Sequence, residues 1–273
     1  MHQRFTSAIA ILLLSSVGLA CSVLRPKSPL TWHAMLEIDA GVPDREAKVR
    51  RTVSVIEHRL DSFRVYNAKV TAQGKGRILV SLPDVPDRKR LIELITAQGL
   101  LELVAVITPP SPTPVQTFNT EEQALASLGA TVPGNRRVLP YSDGDESTSE
   151  QSSEVTPQAR QWIVVEVPAI VGGGELRDAR AISYGDENYH ISFSLTPAGA
   201  QKFGDWTGAH INDYLGIVLN GEVKSIAYIK SQITDQGEIS GRFSKHSAED
   251  LALVLRSGAL PAPVKVIETG DNK

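Results

Sequence analysis

Apolar and polar side chains alternate from Leu30 onward. Leu30, Trp32, Ala34, Leu36 and Ile38 point one way, and Thr31, His33, Met35, Glu37 and Asp39 the other. Period two over this length predicts a strand buried on one face. Gly41-Val42-Pro43-Asp44 then makes a turn, with Asp44 placed to cap a helix. The period changes there. Val49, Val53, Ile56, Leu60 and Phe63 recur at spacings of four and three and make one apolar stripe. Arg50, Arg51, Glu57, His58 and Arg59 are expected on the opposite, wet side. Val70-Thr71 begins a second strand, Gly74 and Gly76 bracket a turn, and Ile78, Val80 and Leu82 alternate in a third. Leu91, Leu94 and Ile95 mark a second helix that Gly99 ends, and Leu100 to Ile107 reads as a fourth strand. The order strand, helix, strand, strand, helix, strand predicts a ferredoxin-like antiparallel sheet with both helices on one face, over residues 30–107.

The texture then changes. Pro109, Pro110, Pro112 and Pro114 cluster, a helical patch runs from Thr120 to Leu128, and Ser142 to Glu154 is acidic and serine-rich with no large apolar residue. Such a run cannot bury enough surface to offset its ordering entropy. Residues 108–160 are therefore expected to form a mostly flexible insertion. Order resumes with Trp162-Ile163-Val164-Val165, a short buried-type strand, and with alternation from His190 to Leu195. Thr196-Pro197 starts a helix with a capping hydroxyl and a first-turn proline, and Ala200, Phe203 and Trp206 give its buried side. Ile217-Val218-Leu219, Asn220-Gly221, then Val223, Ile226 and Tyr228 read as a tight hairpin, because both turn residues must hold positive φ. Ser244 caps a last helix carrying Ala248, Leu251 and Leu255, and Gly258 sits where a left-handed C-terminal residue belongs. Leu260-Pro261-Ala262-Pro263 forces an extended exit, and Val264, Val266 and Ile267 make a strand. The pattern leaves open whether this strand, 264–268, closes the second half, 161–263, or returns to the first sheet.

Composition adds a compartment. The net charge is −3 with no basic run, which argues against nucleic acid as a partner. His2 and Arg4 precede an apolar run from Phe5 to Ala20, and the only cysteine, Cys21, follows. This predicts a lipoprotein-type signal over residues 1–20, with cleavage before Cys21 and acylation of its thiol. Gly18 departs from the usual lipoprotein pattern. An uncleaved anchor extending to Leu24 and an ordinary cleaved signal are the alternatives. All three place the folded part outside the cytoplasm, facing the periplasm or the extracellular side of the envelope.

No catalytic constellation, metal site or cofactor is expected. Gly172-Gly173-Gly174 follows a strand but lacks the lysine and spacing of a phosphate loop, so it reads as a turn. Asp143, Asp145, Ser147 and Glu154 fit some positions of a calcium loop, but Thr148 stands where glycine is required. His33, His58, His190, His210 and His246 form no ligand pair, and no serine nucleophile motif accompanies His210 and Asp213.

One ordered set of motifs resembles a known family. Leu195-Thr196-Pro197-Ala198-Gly199-Ala200 with Phe203, Ile217 to Gly221, Ile239-Ser240-Gly241-Arg242-Phe243, and Leu255 to Pro263 resemble the first periplasmic domain of SecD, the accessory membrane subunit of the bacterial preprotein translocase. Val85-Pro86-Asp87 and Ala97 to Glu102 are similar to its base. Asn220, Gly221, Gly241, Gly258, Leu260 and Pro261 carry the motif most directly. The resemblance implies an α+β fold of two antiparallel-sheet subdomains, a ferredoxin-like base with an inserted head, and a return of the last strand to the base. It also implies a non-catalytic envelope protein that binds exported or unfolded polypeptide and assists secretion. Phe203, Trp206 and Tyr228 are the expected polypeptide-binding residues, and preprotein translocase subunits the expected further partners. In the family, membrane helices use the proton gradient; here only the holding role is expected to carry over. The alternative is a structural or scaffolding lipoprotein that keeps the head fold without a translocase role.

Overall fold

In the computed structural model, residues 29–109, 113–129, 131–142, 160–185 and 189–272 are described, the side chains of 241 and 242 apart. The signal-type segment with Cys21 and the acidic run from Asp143, with its calcium-loop residues, lie outside them.

The first strand, β1 (Trp32–Ile38), buries Trp32, Ala34, Leu36 and Ile38 and leaves the alternate residues partly wet. Helix α1 (Arg45–Ser62) lays Val49, Ile56 and Leu60 on it. Strands β2 (Lys69–Gly74) and β3 (Arg77–Leu82) form a hairpin, and α2 (Arg88–Thr96) adds Leu91 and Ile95 to the same core. Each fully buried aliphatic side chain contributes about 1.5–3 kcal/mol, so this stripe is what holds the helices to the sheet. Asp44 precedes α1 as expected, but its side chain makes no capping bond, and its backbone is left-handed at φ 52°. Asp87 supplies the true carboxylate cap, accepting the Arg90 N–H at 2.9 Å on α2.

The fourth strand of this sheet is not the expected one. The sheet order is β13-β1-β3-β2, with β13 spanning Val264–Asp271. Thus the chain leaves after α2 and returns only at its far end, as the resemblance implied. Strand β4 (Leu101–Ala105) instead joins a six-stranded sheet. Its partners are β5 (Arg136–Tyr141), β6 (Gln161–Glu166), β7 (Val171–Gly172), β10 (Tyr214–Leu219) and β11 (Glu222–Tyr228), in the order β6-β5-β11-β10-β4-β7. The reason is side-chain chemistry: Leu101 and Leu103 face one apolar core and Val104 and Val106 another, so β4 needs cover on both faces.

That sheet curls shut. Val106 bridges Val165, and the Ile107 N–H donates to the Val164 carbonyl at 2.9 Å, so β4 meets β6. Val104, Val106, Leu139, Ile163, Val165, Val218 and Val223 fill the interior. The expectation of a mostly flexible 108–160 therefore fails for its described part. Thr120 caps α3 (Glu121–Ser127), and β5 pairs with β6 along its whole length, with Leu139 buried. β5 also meets β11 in parallel at Val223 and Tyr141, the one parallel pairing among the described strands.

A three-stranded sheet, β12-β9-β8, completes the fold, from β8 (Leu176–Ser183), β9 (Tyr189–Leu195) and β12 (Gln236–Phe243). Ile191, Phe193, Leu195 and Ile239 pack toward Leu215, Ile217 and Leu219 of the closed sheet. Helices α4 (Pro197–Ala209) and α5 (Lys245–Ser257) add Phe203, Ala248, Ala252 and Leu255 to this core. The α+β class and the mainly antiparallel sheets are as expected, with three sheets in place of two. Ser244 caps α5 through the Ser247 N–H at 3.2 Å. Gly258 ends it with φ 91° and ψ 157°, a mirror-extended rather than helical left-handed shape, which a side chain would strain.

Arg59 corrects the sequence most sharply. It was expected on the wet side of α1, yet it is fully buried. The apolar stripe of α1 faces the sheet, but α5 lies against the neighbouring side of α1 and covers Arg59 there.

Candidate functional site

Helix α4 begins where Thr196 accepts the Gly199 N–H at 3.3 Å and Pro197 pre-sets the first turn. Its inner face is anchored by Phe203, 1% exposed, and by the buried Thr207 hydroxyl, which accepts the Ile233 N–H at 2.9 Å. Phe203 is therefore a core residue and offers no surface to a partner, which corrects its expected binding role. The helical period that selects Phe203 for burial turns Trp206 toward the edge.

Trp206 is half-buried and stacks on His210, ring centroids 4.2 Å apart and planes 11° apart. His210 Nδ1 lies 2.7 Å from the Trp206 carbonyl. The imidazole is thus bound to the helix end and not to Asp213, whose backbone N–H donates to the His210 carbonyl at 3.1 Å. A nucleophile-activating His–Asp pair does not form here. The connection His210–Asp213 leads directly into β10. Ile211 is 47% exposed on it, and Asn212 is tied to the residue just after β11 through its N–H to the Ile229 carbonyl at 2.9 Å.

At the start of β10, Tyr214 meets Tyr228 of β11 with centroids 5.4 Å apart. Tyr228 is 37% exposed and donates its hydroxyl to Asn212 Oδ1 at 2.7 Å, while Tyr214 reaches the Thr113 carbonyl at 3.2 Å. Two aromatic pairs flank the exposed connection at Ile211, Trp206–His210 at the end of α4 and Tyr214–Tyr228 on β10 and β11, and this stretch is the aromatic corner; Trp206 packs toward the core of the third sheet and Tyr214 toward the interior of the closed sheet. Sequence reasoning named Trp206 and Tyr228; it missed Ile211, on a turn whose exposure no period announces, and Tyr214, the half-buried first residue of β10. Rigid aromatic faces with hydroxyls held in place suit apolar contact with a flexible chain, because they lose little entropy on binding.

The Asn220-Gly221 turn forms with φ 52° and 86°, and Asn220 Oδ1 accepts the Leu100 N–H at 2.9 Å, so the hairpin tip is fastened to the root of β4. Leu260 and Ala262 are buried in the core of the first sheet, and Pro261 spaces them. The Gly172–Gly174 loop is a turn: the Gly172 N–H donates to Glu175 Oε2 at 2.8 Å, so the protein's own carboxylate takes the place an anion would need. The Lys202 ammonium, then that N–H, hold the Glu175 carboxyl below its ordinary range. His33 faces Asn272, and His190 faces Glu238 at 3.7 Å beside Tyr184. Among the described residues, no group of three or more His, Cys, Asp or Glu is placed to hold a metal, and no helix is long and apolar enough to cross a membrane.

Comparison with known proteins follows the same division. A family model described as SecDF, P1 head subdomain, matches residues 148–262, and one described as protein translocase subunit SecDF, P1 domain, N-terminal, matches 49–108. The chain belongs to the SecD/SecDF family through its P1 domain. Protein translocase subunit SecD of Koribacter versatilis is 34% identical over 226 residues, covering 82% of this chain and 39% of that protein. SecD of Elusimicrobium minutum is 34% identical over 251 residues, 86% of this chain and 50% of its own length. The chain thus spans about two fifths to one half of the length of these curated SecD relatives. Among solved structures, SecDF in its super-membrane-facing form matches with a TM-score of 0.64 and 29% identity, over 91% of this chain and 32% of that one. A second, described as a membrane component SecDF that enhances protein export, matches with a TM-score of 0.63 and 29% identity, over 86% of this chain and 98% of that one. The aromatic corner of α4, β10 and β11 lies within the P1-head match, and β1, only 32–38, precedes the N-terminal P1 match.

Proposed function

We propose that this chain works on the outer side of a membrane in protein export, and that its aromatic corner holds exported or unfolded polypeptide without chemical catalysis. The exposed Ile211 and Tyr228, with the half-buried Trp206, His210 and Tyr214 beside them and the Tyr228 hydroxyl held by Asn212, carry this reading. It sits in the part that matches the SecDF P1 head, and one matched SecDF is described as enhancing protein export. The chain is tethered through its N-terminal apolar segment, with Cys21 as the lipidated residue, and translocase subunits are its neighbours at the membrane. Splayed aromatic faces accept many side chains weakly, which is what a transient hold on a moving polypeptide requires.

The test is site-specific photocrosslinking in export-active cells, with the probe at Ile211 or Tyr228 and a control at the exposed His246 on α5. Probes at the corner should capture polypeptides in export and the control should not. Capture of folded envelope proteins alone would favour a scaffolding role, and equal capture at His246 would remove the corner from the mechanism.

A further inference from the structure

The chain returns to the first sheet through a neck, residues 258–263, where the Leu260 N–H donates to the Gln98 carbonyl at 2.9 Å. It then enters β13, and no strand lies beyond β13 in the order β13-β1-β3-β2. In an antiparallel ladder, successive residues turn their N–H and C=O to opposite neighbours. The Ile38 N–H donates to the Gly76 carbonyl at 3.0 Å, so Ile38 and every second residue before it on β1 face β3. His33 and Met35 therefore face β13, where they stand opposite Gly270 and Glu268 and occupy their backbone groups. Thr269 and Asp271 alternate with these and turn their N–H and C=O away from the sheet. They carry an unclaimed edge.

The two faces along this edge differ. Val266 lies opposite Leu36, on the side that the helices cover, yet it is 40% exposed, and Ile267, the extra residue of a bulge, is 44% exposed. On the same side a groove of about 500 Å³ is lined by Trp32, Arg88, Ile92, Thr269 and Asp271. On the other side Lys265 and Glu268 lie opposite Glu37 and Met35. The charges are already matched: Arg88 with Asp271 at 2.7 Å, Lys89 with Glu93 at 3.9 Å, and Lys265 with Asp39 at 2.9 Å. The edge thus offers no net field that would select a charged sequence. It selects spacing instead. A strand laid along it puts alternate side chains against Val266 and the groove, where apolar ones gain, and the others beside Lys265 and Glu268. The bulge and Lys265 keep such pairing from running the whole length of β13, so the hold is short and reversible.

We infer that the outer edge of β13 takes, as an added strand, an extended polypeptide segment whose apolar and polar residues alternate. Main-chain bonds supply the grip on any such sequence, and the groove reads its period. This is a polypeptide contact on the first sheet, separate from the aromatic corner and independent of it.

The test uses the full chain and a fluorescein-labelled peptide of alternating Val and Thr with a Lys at each end, read by fluorescence anisotropy. Thr269→Pro removes an outward N–H and no bond to β1, so the sheet keeps its ladder. The wild type should bind the peptide, and Thr269→Pro should bind it about tenfold more weakly. The same residues arranged as a Val block and a Thr block should bind the wild type more weakly than the alternating peptide does. Equal binding by wild type and Thr269→Pro would put the peptide elsewhere on the molecule and overturn the inference, while leaving the aromatic corner to its own crosslinks. Absence of binding to the wild type, or equal affinity for the block peptide, would overturn it too. Should Thr269→Pro lack the wild-type circular dichroism spectrum, Ile267→Lys, at an exposed position, is read by the same criterion. A wild-type dimer in sedimentation without peptide, turned to monomer by the same substitution, would give the edge to a second copy of this chain and overturn the inference.

Discussion

The first sheet and the closed sheet are built from strands of similar length, yet they bury their residues differently. In the first, α1 and α2 cover one face, and β1 shows a strict buried–half-buried alternation. In the closed sheet both faces are buried, one against the barrel interior and one against the third sheet and its helices, and β10 is buried at every position from Leu215 to Leu219. A one-faced sheet writes its orientation into the sequence. A two-faced sheet writes only an apolar run, which says that a strand is present and nothing of its neighbours.

This contrast can be tested by where damage spreads. The largest effect is expected from Phe203→Ala, which opens a cavity in the core shared by α4, the third sheet and the closed sheet, and should cost about 4 kcal/mol. Chemical denaturation followed by circular dichroism should show one shifted transition. A first sheet that persists with an unshifted transition of its own would mean that α5 and the neck join the two regions less firmly than their contacts suggest. A smaller effect of opposite sign is expected in the first region. The Thr52 hydroxyl is fully buried on α1 with no hydrogen-bond partner among the described residues. Thr52→Val keeps the shape and removes the unpaired group, and should stabilise by about 1 kcal/mol, read as a higher denaturation midpoint.

The smallest effect concerns the loop that joins the closed sheet to the third. The Glu175 carboxyl is depressed by Lys202 and by the Gly172 N–H. Its contribution is present above the ordinary carboxyl pKa and is lost as pH falls through the folded, lower value, because the unfolded chain takes up the proton first. Glu175→Gln should therefore lower the melting temperature slightly at neutral pH and make it less steep in acid. A parallel acid slope in both proteins would remove this carboxylate from the stability of the loop.

Much of the fold was legible because local rules agreed with it. The hairpin at Asn220-Gly221, the Thr196 and Ser244 caps and the stripe of α1 all follow from residues within a few positions of one another. What was hidden depends on distant ones. Arg59 reads as a surface residue because charge is normally wet, and its burial is explained only by distant acceptors, the Leu94, Ile95 and Ala97 carbonyls on one side and Ser257 and Gly258, 198 and 199 residues away, on the other. β5 was masked by the prolines before it and the acidic run after it, although its own Val138 and Leu139 sit in register with Val164 and Ile163. The aromatic corner was half legible. Helical spacing separates Phe203 from Trp206 only once the direction of the core is known, and the turn carrying Ile211 follows no period at all.

The return of β13 to β1 has a consequence for biogenesis. His33 and Asn272, which touch across this pairing, are 239 positions apart, so the first of the described strands waits for the last of them. Until residues 264–271 have left the ribosome, one flank of β1 stands open with its amides and carbonyls unclaimed, and such a flank invites pairing with other chains. A nascent copy of this protein is thus itself a polypeptide in need of an escort.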